Sequence, residues 1–352
     1  MQVGIQFFPD IGPAVKSARD YWHDALHLVG LVDHYGYSHV RTIEHYFNAY
    51  GGYSPNPIVF LAAAAQVTRK ARLVTGAVLP AFNNPLKLAG EIAMLDALCD
   101  GRLDVGFARA FLPHEFAHFR VPLDESRARF DEGMEQVRRL LEEAPVTATG
   151  RFHSFRDVTS MPRPTQLPRP PFYVAALASK ESFERTGAAG YGIMAIPMAG
   201  GAMAELIGTY REAWRKAGHH GHGTVMLAFH MFCHQDQSEA ERIAHDPLER
   251  YLRSLVAAAS DWTSGASSAD YKGYDQVIAA LARETFETQV EKCAAWVGTP
   301  ERILDTIATY QRQVGGFDSA SLQVNFNDIP LAAAEASMRL FGEHVLPKVV
   351  MG

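Results

Sequence analysis

Short runs of β-branched, aromatic and aliphatic residues alternate along the chain with longer segments whose apolar residues recur at helical spacing. VGIQFF (3–8) reads as a first strand, and the segment after it places Ala25, Leu28, Val29 and Val32 on one helical stripe that Gly36 stops. SHVRTI (38–43) is a second strand, and after SPNP the alanine-rich run 57–69 reads as a helix. RLVTGAVL (72–79) is a third strand, followed by a helix over 85–99 that ends at Asp100-Gly101. LDVGFA (103–108) is a fourth, and the segment 126–143 sets Phe130, Met134, Val137 and Leu141 on one face. FYVAA (172–176) and GIMAI (192–196) are strands five and six, with a helix around 180–189 between them. A helix over 203–217 leads to TVMLAFHMF (224–232), the seventh strand. ASLQVNF (320–326) is the eighth, and a C-terminal helix follows with Met338, Leu340 and Phe341.

Eight strands separated by helices predict an α/β fold, a (β/α)8 TIM barrel spanning 1–352 as a single domain. A doubly wound sheet is the main alternative. The 352 residues exceed the typical barrel of about 250, so insertions are expected. One is 144–171, where MPRPTQLPRPP reads as an extended, proline-stiffened loop. The other is 236–298, after strand seven, with extra helices and the polar stretch SDWTSGASSADYKGYD, which reads as a mobile lid.

Composition narrows the class. The formal net charge is −6 and no basic block occurs, which argues against nucleic acid or an anionic membrane as partner. The start of the chain lacks the pattern of a signal peptide, and no apolar run approaches a membrane span. Cys99, Cys233 and Cys293 lie far apart with no CxxC pair, so neither a metal site nor a disulfide framework is expected. GHHGHG (218–223) carries histidines but falls between a helix and strand seven, at the barrel face away from the chemistry. These features fit a cytoplasmic enzyme acting on a small molecule.

Barrel chemistry gathers where strands end and the following loops begin. That rule selects Phe8, Glu44, His45, Leu79, Arg109, Ala178, Ser179, Ile196, His234 and Asn327. Within TIEHYFNAYGG (42–52), His45 suits general acid–base work, and its neighbour Glu44 can orient a ring or anchor the loop. From the dipeptide alone, a hydrogen-bonded structural histidine is the commoner reading. Arg109 after strand four, Arg127 at a helix start, and Ser179 and Ser182 around another helix start form a possible anion site; paired surface arginines are the alternative. Phe7, Phe8, Tyr46, Phe82, Phe111, Met194 and Met198 are candidates for lining an apolar substrate pocket, or for ordinary core.

EHYF, NPIVFLAAAA, VLPAFNNPLKLAGEIAMLDALCDGRLDVGFAR, DESR, KGYD, VGTPE and SMRLFGEHVLP, in that order, resemble the bacterial luciferase-like flavin-dependent monooxygenases over nearly the whole chain. They look like the catalytic subunit of bacterial luciferase in particular. The resemblance implies a barrel that binds reduced FMN and oxygenates a small, largely apolar organic substrate with molecular oxygen, through a flavin C4a-peroxide. It also implies a separate NAD(P)H:flavin reductase and a homodimer formed through the helices near 57–69 and 85–99. His45 matches the acid–base histidine and Glu44 its acidic neighbour; Arg109 and Arg127 match the arginines that hold the FMN phosphate. Leu177 to Ser182 matches the rest of the phosphate cradle, although Leu177-Ala178 replaces the family's acid-serine pair, so Ala178, Ser179 and Ser182 would contribute differently. Thr75-Gly76 matches a cis peptide beneath the flavin. Ala108 stands where the luciferase has a reactive cysteine, and Tyr46 where it has a second histidine, so oxygenation without light is expected. Hydride transfer with the deazaflavin F420, or a non-catalytic flavin-binding partner subunit, are the alternatives within the superfamily.

Overall fold

The computed structural model describes residues 1–350. Among them eleven strands form, in chain order β1 (Gln2–Phe7), β2 (His39–Thr42), β3 (Arg72–Val78), β4 (Leu103–Ala108), β5 (Val146–Thr149), β6 (Ser154–Val158), β7 (Phe172–Ala175), β8 (Gly192–Ala195), β9 (Val225–Cys233), β10 (Ala295–Gly298) and β11 (Ser319–Gln323). β1, β2, β3, β4, β7, β8, β9 and β11 pair in parallel, and the β11–β1 and β8–β9 pairings close the ring. The eight strands expected from the sequence are the eight staves of this barrel.

Alternation explains the closure. Val3, Ile5, Phe7, Val40, Leu73, Val105 and Phe107 are fully buried on the outer surface of the strands, against the helices. Phe7 therefore packs against Phe60 and faces away from the barrel interior. Three of the helices, Pro57–Val67, Pro85–Leu98 and Pro300–Val314, begin where asparagine or threonine precedes proline. Asn56 and Asn84 accept hydrogen bonds from Ile58 N and Leu86 N, and proline occupies the first helical turn, where no N–H is needed.

The first insertion holds more structure than expected, and the second contains the expected extra helices. Residues 144–171 contain the antiparallel β5–β6 hairpin, so only the proline-rich part is irregular. Residues 236–298 are largely helical, led by Gln237–Ala258, and they end in β10, which extends the sheet along the C-terminal half of β9. The polar stretch is packed: Trp262 Nε1 donates to Phe111 O (2.8 Å) and the Tyr271 hydroxyl to Ala110 O (2.7 Å). These bonds seat it on the loop after β4. No helix among the described residues is long and apolar enough to cross a membrane.

Candidate active site

A cavity of about 730 Å3 opens at the C-terminal ends of the strands, within the range of small-molecule sites. Tyr251, Leu252, Leu255, Tyr274 and Leu281 of the long insertion form one wall. Of the residues singled out in the sequence, Glu44, His45, Phe8, Phe111, Met194, Met198, Gly76, Ala108, Arg109, Arg127, Ala178, Ser179 and Ser182 line it.

Three do not. Thr75 is turned into the β3–β4 seam, where its hydroxyl donates to Gly106 O (3.0 Å) and accepts from Gly106 N (2.9 Å). Tyr46 and Phe82 stand behind the wall in an aromatic cluster with Phe119, at 4.8 and 4.6 Å between ring centroids. His234 and Asn327 are also off the cavity. β9 runs on to Cys233 to pair with β10, and Asn327 is held by Asp10 and Arg250. The cis peptide lies one residue beyond the expected position, at Gly76–Ala77. Thr75 is still in regular register with Thr42 and Val105, and the irregularity of β3 begins after it.

His45 sits just past β2, 8% exposed, with its Nδ1 3.0 Å from Glu115 Oε1. Glu115 is fully buried in the helix Pro113–Phe119, and the same oxygen accepts the Tyr46 N–H at 2.8 Å. An ionised carboxylate can only accept, so this contact places the imidazole proton on Nδ1 and leaves Nε2 free of any partner among the described residues. Gly51 closes the other side. A Cβ there would lie 2.5 Å from His45 Cβ, and its φ of +81° is open mainly to glycine.

Glu44 has a different task. Its carboxylate accepts from the Tyr46 hydroxyl (2.5 Å), Asn83 Nδ2 (2.9 Å) and Leu79 N (3.1 Å), which ties the loops after β2 and β3 together. Burial raises its pKa to about 7, against the pull of those hydrogen bonds. The residue oriented against His45 is thus Glu115, which sequence reasoning missed. The two are 70 positions apart, and no local pattern joins them.

The anion candidates are already engaged by the chain. Arg109 Nη1 donates to Asp270 O (2.7 Å), and its guanidinium lies 4.3 Å from the centre of the Tyr271 ring. The Asp270 carboxylate accepts from Ser126 Oγ (3.1 Å) and Arg127 N (2.9 Å) at the start of the helix Ser126–Glu142. The Arg127 guanidinium meets Glu181 at 3.4 Å. Ser179 caps the helix Lys180–Ala188 by accepting from Ser182 N. A carboxylate of the insertion thus caps the start of the helix that carries Arg127, next to the cavity.

A family profile described as luciferase-like monooxygenase matches residues 1–316. The chain is 42% identical to the monooxygenase RslO1 of Streptomyces bottropensis, whose crystal structure matches at a TM-score of 0.88 over 99% of this chain and 100% of that one. It is 29% identical over 235 residues to the oxygenase component of flavin-dependent trigonelline monooxygenase from Acinetobacter baylyi; that match covers 66% of this chain and 64% of the relative, just under two thirds of its length. The FMN-bound oxygenating constituent of 3,6-diketocamphane monooxygenase from Pseudomonas putida shares the fold at a TM-score of 0.82 and 21% identity, over 99% of this chain and 98% of that one. The chain belongs to the luciferase-like monooxygenase family.

Proposed function

We propose that the protein is the oxygenase of a two-component system, which takes reduced FMN from a separate reductase and inserts oxygen into a small, largely apolar organic substrate without emitting light. The observation that carries this reading is one cavity with two arginines at one end and a buried, carboxylate-oriented histidine on its wall. The residues present fit the cofactor. Arg109 has no acid within salt-bridge distance among the described residues, and Arg127 has only the partly exposed Glu181. Gly76 and Ala108 line the same cavity and add little side-chain bulk to it. Bound reduced flavin would supply the electrons that activate oxygen.

Around it, this chain's residues have assigned tasks. Arg109, Arg127 and the N–H groups near Ser179 and Ser182 would hold the phosphate. His45 Nε2 would accept or return a proton at the reacting end of the substrate, with Glu115 fixing its tautomer. Phe8, Phe111 and Met194 would exclude water from the reacting face. Oxygenation without light rests on Ala108 in the cavity wall and on Tyr46 standing behind it. The separate reductase is suggested by the name of the Acinetobacter relative, an oxygenase component. A homodimer is suggested by Val59, Val67, Leu86, Met94 and Leu98, exposed apolar side chains on or at the helices Pro57–Val67 and Pro85–Leu98. Three buried free cysteines suit a reducing, cytoplasmic compartment.

The test is anaerobic mixing with reduced FMN, admission of oxygen, and a screen of aldehydes, ketones and polycyclic aromatics for labelled oxygen. The return of the oxidised-flavin spectrum should lag behind that of free reduced FMN. A return at the free rate with no labelled product would sink the proposal. His45→Ala should lose turnover far more than flavin affinity. Tight binding of F420 with no binding of FMN would replace this reading by deazaflavin hydride transfer. Inactivity with every substrate, despite tight FMN binding and a supplied reductase, would favour a flavin-binding partner subunit.

A further inference from the structure

Barrel interiors are ordinarily filled by branched aliphatic side chains. Here four adjacent strands place polar residues in one row instead. The registers align His230 of β9 with Gln323 of β11, Gln323 with Gln6 of β1, and Gln6 with Arg41 of β2. All four line the cavity. The row lies below His45, at the cavity floor, because Arg41 and Gln6 are within their strands and His45 follows the end of β2.

Arg41 is 7% exposed and has no carboxylate partner among the described residues. Nη1 donates to Gln6 Oε1 (2.9 Å), Nη2 donates to Gly76 O (3.0 Å), and Nε is buried with no partner. Three of its five N–H bonds are left without an assigned acceptor. Gly76 is what lets the guanidinium lie there, since a Cβ at that position would fall 1.8 Å from Nε. Burial pushes the guanidinium down to about 10, so it stays charged at neutral pH. The one acidic group that offsets this burial is the Tyr251 phenol, which burial itself keeps neutral. Beside it, His230 Nε2 and Gln323 Oε1 are also buried without partners, and burial lowers His230 to about 3, so its ring is neutral. A buried cation among unsatisfied polar atoms is costly unless something supplies the opposite charge. Such local violations of packing rules cluster at functional sites.

We propose that Arg41, with Gln6, His230 and Gln323, forms a floor subsite that holds an anionic oxygen group of the substrate, a carboxylate or an ionised phenol, while its apolar body lies along Phe8 and Met194. This rests on the monooxygenase reading for calling the ligand a substrate, but not for the anion preference itself. A planar guanidinium fork matches a carboxylate, and the neutral histidine can donate an N–H to it, while the Gln323 oxygen, which only accepts, is left for an Arg41 N–H or a hydroxyl of the ligand.

The test is calorimetric titration of benzoate, naphthoate and anthracene carboxylate, each against its own methyl ester, into the full chain with and without oxidised FMN. The subsite predicts that at least one acid binds about tenfold or more tighter than its ester. Arg41→Met should bring that ratio to about one with FMN affinity unchanged within about twofold, and Arg41→Lys should keep its sign. The proposal is overturned if no acid binds, if no acid binds tighter than its ester, or if Arg41→Met leaves the ratio intact. A loss of FMN affinity in Arg41→Met with the ratio intact would likewise reassign the arginine to the flavin. The wild-type ratio decides the matter even if the variant does not fold. If the wild type binds no FMN at all, the flavin reading falls, and the ratio in the cofactor-free protein still decides the floor subsite.

Discussion

On the proposed assignment the FMN phosphate lies against Arg109 and Arg127, where the Asp270 carboxylate already holds the start of the helix, so removal of that carboxylate should tighten FMN binding. In the structure it accepts one hydrogen bond from Ser126 Oγ and one from Arg127 N, and its backbone oxygen takes a third from Arg109. A phosphate using Arg109, Arg127 and that helix start would have to displace this carboxylate or lie beside it. Hydrogen bonds to a charged group contribute about 1.5–3 kcal/mol each, net of exchange with water. Two are at stake, both partly exposed, and a phosphate lying beside the carboxylate need displace only part of them, so a gain of about 1–2 kcal/mol is expected. Asp270→Ala should then bind FMN roughly 5- to 30-fold tighter, with the backbone contact to Arg109 retained. Quenching of flavin fluorescence measures it, and riboflavin is the control: lacking a phosphate, it should bind wild type and variant alike. The gain should also shrink as salt rises, because part of it is like-charge repulsion. FMN affinity that is unchanged or weaker in Asp270→Ala, or an equal gain for riboflavin, would refute the placement of the phosphate at this end. Arg109→Ala provides the opposite sign, weakening FMN by about 1.5–3 kcal/mol with riboflavin spared.

Other expectations follow from buried contacts and exposed faces. Glu115→Ala leaves His45 Nδ1 and the Tyr46 N–H without their acceptor; it should cost about 1–3 kcal/mol per donor in denaturant melts and lower turnover more than flavin affinity, whereas undiminished turnover would remove Glu115 from any role in setting His45. Glu44, raised from 4.5 to about 7, keeps a proton in the folded state that the unfolded chain releases, so its stabilisation is full below about pH 4.5 and is lost as pH rises through about 7. A shift of that size corresponds to roughly 3 kcal/mol, and stability curves of wild type and Glu44→Gln that stay parallel between those limits would count against it. Met94, 57% exposed on the helix Pro85–Leu98, is the probe for self-association. Met94→Lys should shift sedimentation from dimer to monomer while changing stability by no more than about 0.5 kcal/mol; a wild-type monomer would reject the dimer outright.

The staves of the barrel were legible because each is apolar on its outer face and bounded by turn residues, which local pattern records. β10 was not, since AWVG is four residues long, shows no alternation, and is a strand only because the second half of β9 offers a free edge. The β5–β6 hairpin was hidden by its prolines downstream and by a mostly solvated surface. In the site, position after a strand located His45 and Arg109, but the partners that define their chemistry come from far along the chain. Glu115 reaches His45 from a short helix after β4, and Asp270 reaches Arg127 from 143 positions away. The polar row at the floor could have been read: Gln6, Arg41, His230 and Gln323 each sit at the inward phase of their strand, where an aliphatic residue is the usual occupant.

The two arginine sites of the cavity differ in what must move for an anion to bind. Arg41 is held by Gln6 and a backbone carbonyl, both neutral and fixed in the barrel wall, so an anion at the floor displaces nothing charged. Arg109 and the start of the helix Ser126–Glu142 are held by the 268–271 turn, so an anion there competes with Asp270. That turn continues through Tyr271 into Tyr274, and Tyr274 lines the cavity. On the proposed assignment, phosphate binding therefore shifts the segment that walls the route to the floor, and the reverse coupling must hold with equal free energy. Asp270→Ala, which frees the anion end in advance, should remove this linkage: an aromatic acid at the floor should then bind equally with and without FMN, while in the wild type the two affinities differ.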